Sequence, residues 1–306
     1  MKKVLVLYYS QTGQLKRILD RVMDTLQEDS EVRVDYCRYE PEQAFPFPWN
    51  AKAFFGAMPD CVLENPVPMK PLVLPKDQDY DLIILGYQVW FLSPSIPLNS
   101  LLGMPEVAGL LKDKPVVTVS GGRNMWIMAQ ESVKKKLHGL QAQLVGNIAL
   151  VDHSPNLVSV VTIVYWLFHG KTDKLLGVFP KPGVQEEDIE NASSFGDPIH
   201  KALQQGNYEP LQRELVERGA VLVKPNILSM ESKAKRVFGI WAKLIQGAGK
   251  QSSVLRAILL KIFEFYLYFV ILFISPLISI FSTFGRIFGK DAVRRKIKYF
   301  SGVKMQ

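Results

Sequence analysis

Ser10, Thr12 and Gly13 stand in the run VLVLYYSQTGQL, Val4 to Leu15, where buried-type residues pass through two hydroxyls and a glycine into a helical pattern. A helix that opens there presents unpaired N–H groups and the positive end of its dipole, and hydroxyl side chains add donors. That is chemistry for holding a phosphate. Gly13 allows the backbone to come close to a ligand. A single glycine, with no Gly-Lys-Ser/Thr after it, excludes both the GxGxxG dinucleotide fingerprint and the P-loop. A dianionic monophosphate held by neutral donors fits better than a pyrophosphate. The alternative for Ser10 or Thr12 is a plain helix N-cap.

Two further runs supply what a phosphate turn lacks. GYQVWFLSPSIP, Gly86 to Pro97, follows an apolar strand and carries Trp90 and Phe91, and SGGRNMW, Ser120 to Trp126, follows the next one. Aromatic side chains stack on a flat ring, and loop backbone groups read its polar edge. Ordinary packing is the default reading of Trp90 alone; its place beside a strand end argues for more.

The elements that position these residues alternate from the start. KKVLVLYY reads as a buried parallel strand, EVRVDYCRY and AQLVGNIALVD as strands, YDLIILGY and KPVVTVSGG as strands covered on both faces, and QLKRILDRVMDTLQ and NMWIMAQESVKKKLHGL have helical spacing. Five strands with intervening helices predict an open, doubly wound parallel α/β sheet. Residues 40–75 form a proline-rich insertion whose prolines are expected to forbid a long helix or a central strand, and whose aromatics suggest a packed cap. Leu157–Phe168 is apolar over twelve residues, too short to cross a bilayer, and is expected as a buried helix or an interfacial element. SSFGDPIHKALQQG is expected to be the last helix of this domain.

Charge divides the chain at about residue 229. The 306-residue protein carries +8, but Met230–Gln306 holds 14 lysines and arginines against 3 acids, so the tail carries +11 and the rest −3. These cations flank an apolar run, which argues against nucleic acid. SMESKAKRVFGIWAKLIQGAGK reads as a basic amphipathic helix for an anionic membrane surface, with Val237, Phe238, Trp241, Leu244 and Ile245 on its apolar side. Phe265–Gly285 runs 21 residues without a charge. A single crossing would send Arg286, Lys290, Arg294 and their neighbours to the side away from the α/β domain, against the positive-inside tendency, and Pro276 allows a bend. The expected organisation is an α/β domain over 1–228 and a membrane-associating tail over 229–306. That tail would be a monotopic or single-segment anchor on the cytoplasmic side of the inner membrane, since no signal-peptide pattern opens the chain. Two cysteines, Cys37 and Cys61, and four scattered histidines offer neither a disulfide framework nor a metal-ligand spacing.

The turn YYSQTGQL, the tryptophan loop and VSGGRNM together resemble the flavodoxin-like, FMN-binding superfamily over roughly residues 1–205. The resemblance implies FMN as cofactor, held by Ser10, Gln11, Thr12, Gly13 and Gln14 at the phosphate, by Gln88, Trp90 and Phe91 beside the ring, and by Ser120, Gly121, Gly122 and Asn124 at its polar edge. Leu15 departs from the pattern, standing where many members carry a second threonine. Across nearly the whole chain, EPEQAFPFPW, WFLSPSIP, GGRNMWIMAQE, LVGNIALVDHSPNLVSVVTIVYWLFHGK and GVFPKPGV resemble the dialkylresorcinol condensing enzymes found with aryl-polyene and flexirubin-type pigment genes.

That family name implies carbon–carbon bond formation, which needs a thiolate with supporting His or Asn. Cys61 lies in the proline-rich loop and Cys37 in a strand, and neither has such company in sequence. A flavin suits the adjacent step better: a dialkyl cyclohexane-1,3-dione that loses two electrons becomes a resorcinol. The expected function is therefore a flavin-dependent oxidoreductase that aromatises such a dione, with His153 or Tyr87 as base and Arg123 orienting an enolate. Structural readings stand beside each: a hydrogen-bonding histidine, a surface cation. A lipophilic substrate would explain the tail, with Phe45–Phe55 and Leu157–Phe168 as its groove or as core packing. A membrane-bound NAD(P)H:quinone or flavin reductase, an electron carrier, and a flavin-free scaffold for a condensing-enzyme partner are the other readings.

Overall fold

The computed structural model describes residues 1–75, 79–249, 253–274 and 290–305. Five parallel strands form the centre: β1 (Lys2–Tyr8), β2 (Val32–Arg38), β3 (Leu82–Tyr87), β6 (Pro115–Gly122) and β7 (Gln143–Val151), in the order β2-β1-β3-β6-β7. A two-residue antiparallel ladder, β4 (Val89–Trp90) with β5 (Ser93–Pro94), ties the loop after β3 to itself. Alternation sorts the strand side chains to two faces. Val4, Val6, Ile84, Val119 and Ile148 join one core with α1 (Gln14–Glu28) and α8 (Gly196–Gln205). Leu5, Leu7, Ile83 and Leu85 join the other with α3 (Ile96–Leu101), α4 (Pro105–Leu111) and α5 (Ile127–Gly139). Apolar runs without polar interruption follow from this two-sided burial.

The register sets Tyr8, Gly86, Val119 and Ile148 abreast, so the loops after β1, β3, β6 and β7 leave from one edge. Chain order reverses between β1 and β3, the switch point at which open α/β sheets bind ligands. Helix α1 comes close beneath this edge because Gly86 and Gly121 carry no side chain. A Cβ there would lie 2.7 Å from Leu19 Cδ1 and 2.5 Å from Ile18 Cδ1.

The structure departs from the sequence reading or adds to it in four places. The insertion contains a twelve-residue helix, α2 (Ala51–Val62), with Pro59 inside it. Asn50 caps it by accepting from Ala53 N at 2.8 Å, and Phe55, Met58 and Val62 pack along one side. Helix α6 (Asn156–His169) forms, but only Ser159, Thr162 and Trp166 are buried in it. Beyond α7 (Glu186–Asn191) and α8, a further helix, α9 (Leu211–Glu217), packs on β7. The expected boundary at 228/229 falls inside one helix, α10 (Pro225–Gly247).

Most of the apolar side of α10 is covered from within, while Leu244 is exposed. Phe238, Trp241, Ala242 and Ile245 pack with α2 and with α11 (Val254–Phe269), which continues as a π turn over Val270–Ile274. Among the described residues this 254–274 helix is the one long and apolar enough to cross a membrane, by length and composition. Pro276, Gly285 and Arg286 lie outside the described residues. The last helix, α12 (Lys290–Phe300), returns to the sheet domain, where Ile297 and Phe300 pack against the α1-side core.

Candidate functional site

The turn after β1 is built as the sequence predicts. Gly13 precedes α1 with φ +84°, a left-handed conformation that an L side chain rarely adopts, and nothing lies within 4 Å of where its Cβ would be. The turn is therefore open above Gly13. Ser10 is buried and its Oγ accepts from Gly13 N at 3.1 Å; Thr12 Oγ1 accepts from Gln14 N at 3.5 Å. Both hydroxyl protons stay available to an acceptor ligand. Leu15 is 2 % exposed within the core, so the donor that a threonine would add is absent.

The two glutamines of the turn hold protein instead of facing outward. Gln11 donates to Pro46 O at 2.9 Å and accepts from Trp49 Nε1 at 3.1 Å, which fastens the insertion to the turn. Gln14 donates to Val184 O at 3.1 Å and accepts from Val184 N at 3.0 Å. Gly183 makes that clamp possible: its φ is +86°, and a Cβ would meet Gln14 Oε1 at 2.7 Å.

On the other side of the switch point, Trp90 is half-buried among rings. Its centroid lies 5.1 Å from Phe45, 5.5 Å from Trp49 and 6.1 Å from Tyr9, each edge-on. Phe91 and Leu92 have φ of 47° and 60°. Two successive left-handed non-glycine residues are costly and mark a loop whose surroundings impose its shape. Phe91 meets Phe54 of α2 at 4.8 Å. Burial pushes the Tyr9 phenol up to about 12, so it stays protonated.

The third loop carries buried polar atoms without a partner among the described residues: Asn124 Oδ1 and Trp126 Nε1, with Gln88 Oε1 from the neighbouring loop and Asp152 Oδ2 after β7. Buried unpaired acceptors and donors are costly, and their clustering at one strand edge is what a polar ligand rim requires. A phosphorylated flat ring fits this donor set: hydroxyls and a helix N-terminus at one end, an aromatic wall, then amide acceptors and an indole donor. Ser120 is buried at the end of β6, and Gly121 keeps the loop backbone low against α1, while the space beside Gly122 is open.

The three catalytic candidates separate. Tyr87 is 0 % exposed, and its hydroxyl donates to Gln130 Oε1 at 2.6 Å inside a buried line that runs through Thr118 to Asn147. Desolvation raises its pKa far above neutral. It is a core hydrogen-bonder and cannot serve as the base, because removing its proton would leave a buried charge. Arg123 holds the start of α6, donating to Asn156 Oδ1 at 2.7 Å and Ser159 Oγ at 3.3 Å. Burial pushes its guanidinium down to about 10, opposed by the Asp152 carboxylate. His153 is exposed beyond β7, with Nε2 3.2 Å from Asp188 Oδ2.

One group that sequence reasoning missed comes from α10. Glu231 is fully buried and accepts from Met128 N at 2.7 Å, capping the N-terminus of α5 just after the third loop. Desolvation lifts its carboxyl to about 7. One turn on, Lys235 donates to Ser93 Oγ in the tryptophan loop. Thus α10 grips two of the site's loops. Nothing in SMESKAK marks this, since a charged residue at helical spacing reads equally as a solvated face.

No protein-family model matches the chain, and no curated protein matches it. Among solved structures, a flavoprotein of Lactobacillus acidophilus NCFM in complex with FMN is 19% identical over 49% of this chain and 93% of its own, with a TM-score of 0.38. A WrbA-like flavodoxin protein of Agrobacterium tumefaciens is 13% identical over 67% and 99%, with a TM-score of 0.37. Oxidised flavodoxin 1 of Bacillus cereus is 14% identical over 65% and 98%, with a TM-score of 0.35. By its own strand order, β2-β1-β3-β6-β7, the protein has the flavodoxin-like doubly wound α/β fold.

Proposed function

We propose that the protein is an FMN-dependent oxidoreductase acting on a lipophilic cyclic dione, converting a dialkyl cyclohexane-1,3-dione to a dialkylresorcinol. The observation that carries this is the switch point itself. An open hydroxyl–glycine turn lies on one side of it, and on the other Trp90 sits beside unpartnered Gln88 and Asn124 acceptors. Bound FMN supplies a two-electron acceptor. Ser10, Thr12 and the first turn of α1 would hold its phosphate, Trp90 would wall the ring, and Gln88 Oε1 or Asn124 Oδ1 would offer an acceptor to its one ring N–H. The dione gives up two electrons and two protons. His153, exposed after β7, would take one proton from the substrate, and the other would leave with the electron pair as a hydride.

The aromatic body behind Trp90 suits alkyl chains. Phe54 touches Trp49, Phe55, Phe91 and Phe168 at 4.8–5.8 Å, and Phe55 reaches Phe263 and Tyr268 of α11. A condensing enzyme is the partner whose product this reaction would consume. The test is the visible spectrum of the purified full-length chain with the released cofactor identified by mass, followed by anaerobic addition of the dione. A yellow protein that releases FMN and bleaches with the dione fits the proposal. A yellow protein bleached only by reduced nicotinamide would make it a quinone or flavin reductase. A colourless protein that takes up no FMN would leave a scaffold.

A further inference from the structure

Helix α11 and its π turn have two apolar faces, and the described residues cover only one. Leu259, Leu260, Phe263, Tyr266 and Leu267 pack on α2 and α10. On the opposite side Val254, Leu255, Ile258, Ile262, Phe265, Phe269, Leu272 and Phe273 are 48–75 % exposed. At 3.6 residues per turn these positions fall within an arc of roughly 100° that runs the length of the helix. Lys261 borders the arc, exposed, paired with Glu264 at 2.9 Å and lying over the Phe265 ring at 5.4 Å. A long cationic side chain beside an apolar stripe is placed to reach a headgroup while its stem lies on hydrocarbon.

A bilayer-spanning helix is in contact with lipid or other buried helices along its whole length. Here the inner face of α11 belongs to the domain: Arg256 is buried beside Asp60 of α2 at 3.9 Å, and Phe263 sits between Phe55, Phe238 and Trp241. Taking α11 across a membrane would carry α2 and α10 with it. The chain is also tied down on both sides. Before α11, α10 grips the site loops through Glu231 and Lys235. After it, Tyr299 of α12 donates to Glu131 Oε2 at 2.6 Å, its ring lies 4.9 Å from Lys134 Nζ, and Ser301 O accepts from Gln212 Nε2 at 2.7 Å. Glu131 and Lys134 are on α5, Gln212 on α9.

We propose that the outer stripe of α11 docks on an anionic bilayer surface with the helix axis in the membrane plane, so that the chain before and after it stays on one side. Lipid fits better than a second copy because cations accompany the apolar side chains. On α10, Lys233, Arg236 and Lys243 are exposed in one row with Ile240 and Leu244, and on α12, Arg294, Arg295, Lys296 and Lys298 are exposed. Two copies meeting along such surfaces would oppose like charges; anionic headgroups neutralise them. This inference stands independently of FMN.

Flotation of the full-length chain with vesicles of phosphatidylglycerol and phosphatidylethanolamine tests the docking. The protein is expected to float with these and at least tenfold less with phosphatidylcholine alone. The variant Ile258→Gln/Phe265→Gln/Phe269→Gln, at exposed positions, should keep the parent's far-ultraviolet circular dichroism and float at least tenfold less than the parent. Equal flotation of parent and variant overturns the proposal. So does a parent that stays unbound and elutes as a dimer that the variant dissociates. For topology, Lys233→Cys and Lys304→Cys are each treated with a membrane-impermeant maleimide in inverted and right-side-out vesicles. Both native cysteines are buried, so the signal is clean. Labelling from the same side is expected, and labelling from opposite sides would establish a crossing and overturn the in-plane reading.

Discussion

The sheet's carboxyl edge and the outer flank of α11 use the same kinds of side chain in opposite ways. At the edge, Tyr9, Phe45 and Trp49 turn edge-on to Trp90, and the described groups left without protein partners are polar. On the flank, the apolar side chains are the unpartnered groups, while Lys261 and Glu264 pair with each other. An unmatched amide oxygen asks for a donor and an unmatched leucine asks for hydrocarbon, so the two regions call for different ligands. Between them lie α10 and α2, and the sharpest ways to break the contrast act there.

The largest expected effect is at Glu231. Its folded carboxyl titrates near 7 against an ordinary value of 4.5, because desolvation outweighs the Met128 and Ile127 N–H groups and the Lys235 charge. Between these two values the unfolded chain has released a proton that the folded chain still holds, so stability falls as pH rises from about 4.5 to 7 and is flat beyond. Glu231→Gln keeps an acceptor for Met128 N and removes the titration. Its advantage over the parent should grow from near zero at pH 4.5 to on the order of 3 kcal/mol at pH 8, read from denaturant melts at each pH. Parallel pH curves for the two proteins would mean that the carboxyl is solvated, and that α10 does not grip the edge.

Next comes Phe54, shared by the ring cluster behind Trp90 and the cluster against α11. Phe54→Ala should cost roughly 2–3 kcal/mol, less than a fully buried phenylalanine because this one is half-exposed at its rim. With diones of increasing chain length, its KM should rise most for the longest. A uniform rise would make Phe54 packing alone.

Gly13→Val is expected to weaken FMN binding about tenfold and to cost about 1–2 kcal/mol in stability, since φ +84° is strained for a β-branched residue while its side chain meets no neighbour. Gly13→Asn, which tolerates that conformation, should recover most of both. Titration of FMN fluorescence reads the first quantity and thermal melts the second. Equal loss in both variants would trace the effect to bulk above the turn.

The central strands and the strand-to-helix turn were legible because two-sided burial writes uninterrupted apolar runs, and because a left-handed turn needs a residue such as Gly13. Helix α2 was hidden by its prolines: propensity disfavours Pro59 by about 3 kcal/mol, and only tertiary cover on Phe55, Met58 and Val62 outweighs that. The apolar side of α10 reads the same in sequence whether lipid or α2 covers it. Tyr87 ends its strand beside a ligand edge, and the pleat alone turns its ring inward to Gln130. Gln11 and Gln14 were found as parts of the turn, but their bonds reach residues 35 and 170 positions away, which no local pattern encodes.

The smallest effect separates two chemistries. Cys61 is fully buried, its thiol donates to Trp90 O at 3.2 Å, and desolvation raises its pKa well above that of a free thiol. A nucleophile for carbon–carbon bond formation must be a thiolate that substrate can reach; this sulfur is neither. Cys61→Ala should cost about 1 kcal/mol for the lost hydrogen bond and small cavity, and leave dione oxidation within about twofold. Iodoacetamide at pH 7.5 should leave the native chain unmodified at this residue by mass, while the unfolded chain reacts. A tenfold loss of activity in the alanine variant would place sulfur chemistry at the edge and return the condensing reading. Retained activity would leave the tryptophan loop resting on Cys61 only for its shape.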